Sequence, residues 1–176
     1  MAGRPRASRR AASEEARRVG DTLAPRILPP IDDRMILPRY RVAPSRIPSA
    51  GSGLYLEEPV AAGRIIIAPD AIDRTLSLPE VLAHPAGEAA LGASVRWFED
   101  RYTVSLDWPD ECYVNHSFSP TGLWHLGFVF ASRDLGADEE VTVDYRHLLG
   151  EGQQEDFPDA ETGRPIVGLP WHEALR

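Results

Sequence analysis

Asn115-His116-Ser117-Phe118, followed further along the chain by Glu140-Val141-Thr142-Val143-Asp144-Tyr145, is the pair of stretches that says most about this fold. The first predicts a polar turn, and the second predicts a strand that ends in Asp-Tyr. Taken alone, the first stretch is typical of an Asx turn, and the tyrosine that ends the second is typical of a half-buried strand end. The first also matches a glycosylation sequon, but without a signal peptide that interpretation fails.

A glycine-containing loop precedes both stretches. Arg46–Tyr55 reads Arg-Ile-Pro-Ser-Ala-Gly-Ser-Gly-Leu-Tyr, and Pro59–Ile66 reads Pro-Val-Ala-Ala-Gly-Arg-Ile-Ile. Two glycines beside a strand ordinarily predict a turn with positive φ. Glycines also let the backbone approach a bulky ligand and offer amide groups to its carboxylate. The loop is therefore a candidate for either role.

The rest of the chain predicts one mostly-β domain. Residues 1–30, rich in Arg and Pro, read as a leader, and short apolar runs between turn residues predict strands thereafter. The predicted strands cover residues 35–37, 40–42, 54–56, 65–67, 95–98, 102–106, 126–131 and 140–145. Ser77–Glu80 has capping-box spacing with Pro in the first turn, so one short helix is predicted to end near Ala83.

Acidic residues are expected mainly at the surface. The groups near Asp138–Glu140 and Glu155–Asp159 are predicted to be solvated turns and a loop, and the tail from Glu151 is predicted to be polar with few apolar anchors. Six Arg and two Glu give residues 1–20 a net charge of +4, so with −8 overall, residues 21–176 carry −12. An acidic body argues against direct nucleic-acid binding and suits a basic peptide partner. The basic leader is either a solvated arm or one that contacts nucleic acid or the acidic body.

Cysteine and histidine usage limits the chemistry further. Cys112 is the only cysteine, so an intramolecular disulfide and thiolate zinc clusters are excluded, and we expect a buried structural thiol. The five histidines show no ligand spacing, so no metal is predicted. No apolar run approaches the roughly 18 residues of a membrane span, and Met1–Gly20 has no apolar signal-peptide core. We therefore expect a cytoplasmic protein, with export by a specialised secretion system as the alternative.

Taken in order, Gly51–Gly53, Asn115–His116 and Tyr145 resemble the motifs of the SET-domain protein lysine methyltransferases, of the bacterial type without a zinc-binding post-SET segment. The resemblance covers about residues 34–146. It implies a fold of several small sheets with short helices and a C-terminal pseudoknot, in which the C-terminal segment threads beneath a preceding loop. It further implies a SET domain over 31–150 with a variable insert at 68–110, and a lid or tail over 151–176.

The activity implied by this resemblance is transfer of a methyl group from S-adenosyl-L-methionine to lysine side chains of a protein, which we expect to be basic, without a metal. Tyr145 is the implied catalytic residue. The implied cofactor-binding residues are Gly51, Ser52, Gly53, Leu54, Asn115, His116, Tyr145 and Trp171, with Phe157 as a second candidate for an aromatic cover. Trp124 and Tyr102 are implied to line the substrate lysine channel. A core tryptophan is the alternative for Trp124, and a tail anchor is the alternative for Trp171.

Three positions depart from the family pattern. Phe118 stands where many members have Cys, which agrees with the single cysteine of this chain. Thr121 replaces an Asn, and this leaves open whether the local hydrogen-bond network is kept. Val143 replaces an aromatic residue, which the zinc-free members tolerate. Two other functions stay open: a non-catalytic SET-like module that binds cofactor or a basic peptide, and a methyltransferase for a small-molecule amine.

The basic side chains are of one kind only. All nineteen are Arg, and the chain has no Lys. A lysine methyltransferase with this sequence would have no lysine side chain of its own to modify.

Overall fold

The computed structural model describes residues 35–69 and 75–174, so the leader predicted over residues 1–30 lies outside the described residues. The described part contains short strands, which are β1 (Tyr40–Pro44), β2 (Ser52–Leu56), β3 (Ile65–Ile67), β4 (Leu76–Ser77), β5 (Ser94–Phe98), β6 (Arg101–Val104), β7 (Asn115–His116), β8 (Gly122–His125), β9 (Phe128–Ala131), β10 (Glu140–Val143), β11 (Gln154–Pro158) and β12 (Pro165–Val167). Its helices are α1 (Leu78–Leu82), α2 (Glu88–Gly92) and α3 (Trp171–Ala174), with 3-10 turns at Asp110–Tyr113 and Tyr145–His147. Within this part, no helix has the length and apolar character needed to cross a membrane.

The sheet that organises the molecule has the strand order β1-β2-β10-β7. β2 is antiparallel to both β1 and β10, whereas β10 and β7 run parallel. β2 lies between two strands, and its residues Leu54, Tyr55 and Leu56 are all buried, as expected for a central strand. In the parallel pair, Val143 lies opposite His116. This register brings the Asn-His stretch beside the end of β10, where Tyr145 begins the next turn.

Three smaller sheets surround this one. Their strand orders are β3-β9-β8, β4-β6-β5 and β11-β12. The sheet β4-β6-β5 and the helices α1 and α2 all come from residues 76–104, so this segment forms a unit with its own pairing. The hairpin β11-β12 and the short helix α3 make up the C-terminal tail.

One hydrophobic core joins the first sheet to β3-β9-β8. Leu54 from β2, Ile66 from β3 and Val141 from β10 have no exposed surface, and Val129 from β9 is 2% exposed. Full burial of such a side chain stabilises a fold by about 1.5–3 kcal/mol. Trp124 and Tyr145 pack against this core while remaining only partly buried. The core therefore supports Trp124 and Tyr145, two of the candidate site residues.

The mostly-β prediction is confirmed, and most predicted strands are present. The capping box is also confirmed, because the Glu80 carboxylate accepts from the Ser77 amide at 2.7 Å. The prediction of a single helix is wrong, since α2 and α3 are also present among the described residues. Residues 35–37 form no strand; Ile36 makes only an isolated bridge to Ile67.

Strand ends were predicted less well. The strand predicted at 126–131 begins at Phe128, because Leu126 and Gly127 have φ of 48° and 86° and form the β8–β9 turn. The strand predicted to end at Leu106 ends at Val104. The strand predicted at 140–145 ends at Val143, after which the Asp144 carboxylate accepts from the Arg146 amide and starts a 3-10 turn.

Candidate functional site

A cavity of about 760 Å³ opens between the glycine loop, the residues before β7, and the tail. Its lining includes six of the predicted site residues, which are Gly51, Ser52, Asn115, His116, Trp124 and Tyr145. These residues lie far apart in the sequence, and the sheet order β2-β10-β7 brings them together. Residues between Ser105 and Tyr113 supply much of the remaining wall. Phe157 to Ala160, from the tail, also line the cavity.

Four predicted site residues lie elsewhere. Leu54 has no exposed surface and belongs to the core, and Gly53 packs beside Glu140. Tyr102 is buried on β6 with its hydroxyl against Gly150, so it does not line the cavity.

Trp171 is also outside the lining. Its ring contacts Phe98 edge-on at 6.3 Å, and the Arg96 guanidinium lies over it at 5.8 Å. The buried Arg96 also donates from Nη2 to Leu169 O at 3.0 Å, which fixes the start of α3 away from the cavity. The placement agrees with the alternative of a tail anchor. Phe157, the second candidate for an aromatic cover, does line the cavity.

Tyr145 is oriented at both ends by the chain around β7. Its backbone N–H donates to His116 Nδ1 at 3.1 Å, and its hydroxyl donates to the Val114 carbonyl at 2.7 Å. A phenol that donates its proton can still accept through its oxygen. Tyr145 therefore presents a positioned oxygen atom at the wall of the cavity.

Asn115 ties β7 to the glycine loop. Its Nδ2 donates to Ser52 O and to Glu140 Oε1, both at 2.9 Å. Because both bonds use the amide nitrogen, the side-chain oxygen keeps its accepting capacity. The Asn-His stretch is thus a short strand with a structured side-chain network, and not an isolated Asx turn.

Sequence reasoning missed the two acidic residues that support this site. Glu140 and Asp159 belong to the groups predicted to be solvated, and that prediction is wrong for both. The Glu140 carboxylate accepts four hydrogen bonds from neighbouring segments, and Asp159 is 4% exposed. Glu155 is buried as well, on β11. A local acidic cluster has the same composition whether it faces water or donors, so the sequence alone held no signal that separates the two cases.

His116 links β7 to the tail. Nδ1 accepts the Tyr145 N–H, so in the neutral ring the proton is on Nε2. Nε2 is buried without a hydrogen-bond partner among the described residues and lies 3.6 Å from Asp159 Oδ1. Burial lowers the pKa of His116, and this effect outweighs the opposing influence of the Asp144 and Asp159 carboxylates. His116 is therefore held neutral.

Asp159 is held in place by Thr162. Its Oδ2 accepts from the Thr162 amide at 2.7 Å and from the Thr162 hydroxyl at 2.6 Å. Burial by itself would raise the pKa of Asp159, but the hydrogen bonds from Thr162 act against burial, and the pKa lies below its ordinary value. The tail thus presents a carboxylate to His116.

Acidification should destabilise the fold through His116. Its folded-state pKa lies below the unfolded value of about 6.5, so the unfolded chain takes up the proton first as the pH falls. This contribution to stability is present above pH about 6.5 and is lost as the pH falls below it. A proton on Nδ1 would also oppose the Tyr145 N–H donor. We expect the thermal unfolding midpoint to fall between pH 7 and pH 5.

The matched variant for this prediction is His116→Asn, whose side-chain oxygen can still accept from Tyr145 but cannot take up a proton in this range. Its unfolding midpoint should change less with pH than that of the wild type over the same window. Parallel curves for the two proteins would show that His116 does not cause the acid sensitivity.

Two tryptophans form another wall of the cavity. Trp124 on β8 and Trp97 on β5 meet edge-to-face, with ring centroids 6.0 Å apart and an interplanar angle of 73°. The Trp97 indole N–H donates to Thr103 Oγ1 at 2.6 Å, which fixes the ring from the neighbouring strand. Trp97 was not among the predicted site residues. The sequence predicted a strand around Trp97 but did not indicate whether the side chain would face the cavity.

Thr121 replaces the Asn of the family pattern, and its hydroxyl both donates and accepts a hydrogen bond. The hydroxyl donates to Glu140 O at 3.0 Å and accepts from the Thr142 amide at 2.9 Å. It therefore fastens the residues after β7 to β10. Phe118, at the other departure, lies edge-on to His116 and beneath the guanidinium of Arg146 at 4.7 Å.

No protein-family model matches this sequence. A search of curated proteins likewise gives no match. In residues 35–69 and 75–174, no three His, Cys, Asp or Glu side chains are grouped as metal ligands.

Proposed function

We propose that this chain is an S-adenosyl-L-methionine-dependent methyltransferase of the SET type that acts on lysine side chains of a protein. One observation carries the proposal: the glycine loop, the Asn-His stretch and Tyr145 line a single cavity although they lie far apart in sequence. The volume of about 760 Å³ falls in the range of small-molecule sites. The order of the motifs in the sequence and their meeting in one cavity are two separate observations in favour of the proposal.

The proposed SET fold has structural support of a coarser kind. β7 runs parallel to β10, and the chain between them makes the hairpin β8–β9 before returning. A threaded C-terminal segment would require such a return beside β7. The separate pairing of residues 76–104 supports the proposed insert over 68–110, and the hairpin of the tail supports a distinct segment over 151–176.

The residues present fit the proposed cofactor. The backbone of residues 49–52 borders the cavity, and Asn115 can accept from an amino group through its side-chain oxygen. Phe157 on the lining would offer flat apolar surface for a purine ring. When bound, the cofactor would supply a methyl group on a positively charged sulfur: a neutral lysine amine would bond to the methyl carbon as the carbon–sulfur bond breaks, the neutral thioether would leave, and the methylated ammonium would lose a proton to water.

Tyr145 would orient the reacting groups. Its hydroxyl oxygen, fixed by the bond to Val114 O, can make weak C–H···O contacts with a methyl group. Correct alignment of attacking and departing atoms supplies much of the acceleration in such a step. The neutral His116 keeps the Tyr145 backbone in place and adds no further positive charge beside the sulfur.

The cavity walls would help lysine to react. With an unperturbed pKa near 10.4, only about one lysine in 2,500 is neutral at pH 7, which costs about 4.6 kcal/mol. Aromatic walls such as Trp97 and Trp124 desolvate an ammonium group and thereby lower its pKa. The carboxylates of Asp107 and Glu111, also on the lining, would attract a basic peptide to the opening.

A methyl-transfer assay tests the proposal. We expect the purified protein to move radiolabel from S-adenosyl-L-methionine onto protein bands of a host-cell lysate or mixed histones, with the label recovered as methyllysine. Label confined to low-mass fractions would replace the protein substrate with a small-molecule amine. Cofactor binding by calorimetry without any label would favour the non-catalytic module.

A further inference from the structure

The Glu140 carboxylate collects hydrogen bonds from three separate parts of the chain. The Ser45 hydroxyl donates at 2.6 Å and the Arg46 amide at 3.1 Å, both from the start of the glycine loop. The Tyr55 hydroxyl on β2 has one proton, which it shares between Glu140 Oε2 at 2.9 Å and Pro44 O at 3.0 Å. Asn115 Nδ2 donates at 2.9 Å from β7. A single carboxylate therefore joins the loop to the Asn-His stretch.

The chain leaves space for this carboxylate at Gly53. A Cβ atom at position 53 would lie 2.3 Å from Glu140 Oε1 and 3.2 Å from Asn115 Nδ2. No side chain other than hydrogen fits there without displacing the network. The second glycine of the loop therefore serves the packing of Glu140, and it does not line the cavity.

The loop fastened by Glu140 forms one border of the cavity. Ser45 N donates to Gly51 O at 2.8 Å and closes the loop at its base. Ser49 to Ser52 line the cavity, whereas Ser45, Arg46, Tyr55 and Glu140 lie outside the lining. Glu140 thus acts from behind the loop and does not touch a ligand in the cavity.

We propose that Glu140 is the positioning residue for cofactor binding, holding the glycine loop and Asn115 at a fixed separation. This inference rests on the proposed function. The carboxylate suits the role because all four partners act as donors toward it, and an ionised carboxylate only accepts. A glutamine would present an NH₂ group to some of these donors and leave them unpaired.

The test compares Glu140→Gln with Glu139→Gln. Glu139 is the adjacent residue, and its carboxylate binds Arg133 and the Gly136 amide, away from the cavity. We expect Glu140→Gln to weaken calorimetric binding of S-adenosyl-L-methionine by at least about tenfold. Because Glu140 acts through binding, kcat at saturating cofactor should change less than KM for the cofactor. Glu139→Gln should stay within about twofold of wild type.

Hydrogen exchange provides a readout that does not depend on the ligand. The Arg46 amide donates to the Tyr55 hydroxyl at 2.9 Å as well as to Glu140, and Glu140 in turn holds that hydroxyl. Loss of the carboxylate should loosen both acceptors, so the Arg46 amide should exchange faster in Glu140→Gln than in wild type, and the Glu139→Gln protein should match wild type there. If wild type binds no cofactor, the proposed function fails, while faster exchange at Arg46 still supports Glu140 as the residue that holds the loop. Unchanged exchange at Arg46, or wild-type cofactor affinity in Glu140→Gln, would overturn the inference.

A milder variant covers the case in which Glu140→Gln does not fold. Ser45→Ala removes one of the four donors and leaves the carboxylate in place. It should weaken cofactor binding by about threefold, with faster exchange at Arg46. Wild-type affinity and exchange in this folded variant would overturn the inference.

Discussion

Tyr145→Phe should lower kcat for methyl transfer by at least about 10²-fold while changing cofactor affinity little. Tyr145 lines the cavity, and its hydroxyl donates to Val114 O at 2.7 Å, so its oxygen is fixed in direction. On the proposed function, without this hydroxyl the methyl group would lose a contact that holds it in line, and small errors of alignment cost about this factor. The backbone bond from Tyr145 to His116 is unaffected by the substitution. Single-turnover transfer rates with saturating cofactor would measure the effect.

Tyr40→Phe is the matched control for this variant. Its hydroxyl also makes a protein hydrogen bond, to Asp110 Oδ2 at 2.9 Å, but Tyr40 does not line the cavity. Both substitutions should cost about 1 kcal/mol in unfolding free energy, and only Tyr145→Phe should lose transfer. Wild-type turnover in Tyr145→Phe would remove the hydroxyl from the mechanism.

Short apolar runs were sufficient to predict most of the fold. Leu54–Leu56 lies in a central strand, where burial on both faces demands such a run. Ile65–Ile67 lies in an edge strand, where Ile66 and Ile67 are buried in the core. The capping box at Ser77 was equally local, since the residues that start the helix also make its first hydrogen bonds. The helix at Glu88–Gly92 was missed, because its cap is Gly87 with φ of 57° and no side-chain cap.

The sequence did not predict which residues from distant parts of the chain come into contact. Trp171 and Phe157 are both tail aromatics, and what separates them is the buried Arg96, which holds Leu169 and the Trp171 ring outside the cavity. Glu140 was taken for a surface acid because its donors come from residues 45–55 and from Asn115. Asp159 receives its hydrogen bonds from nearby Thr162, but it is buried beside His116, which is distant in sequence. Composition near a carboxylate does not report donors that are distant in sequence.

The largest expected loss of stability arises at Gly127→Ala, in the turn between β8 and β9. Gly127 has φ of 86°, and an added Cβ would lie 1.8 Å from the Trp97 ring. The left-handed backbone costs about 1–2 kcal/mol for a residue with a Cβ, and overpacking costs about 1–3 kcal/mol. We expect a loss of about 3 kcal/mol in unfolding free energy, measured by denaturant titration. Trp97 would also turn away from Trp124 and deform the cavity wall, so cofactor or substrate binding should weaken as well.

Gly63→Ala separates the two causes of that loss. Gly63 has a similar φ of 76°, but nothing lies within 4 Å of the position its Cβ would take. It should therefore lose only the backbone cost of about 1–2 kcal/mol, and the difference between the variants measures the collision with Trp97. Combining Gly127→Ala with Trp97→Leu should give a loss smaller than the sum of the two, because the collision is then relieved. Additive losses, or equal losses in Gly63→Ala and Gly127→Ala, would show that the Trp97 ring is not packed against the β8–β9 turn.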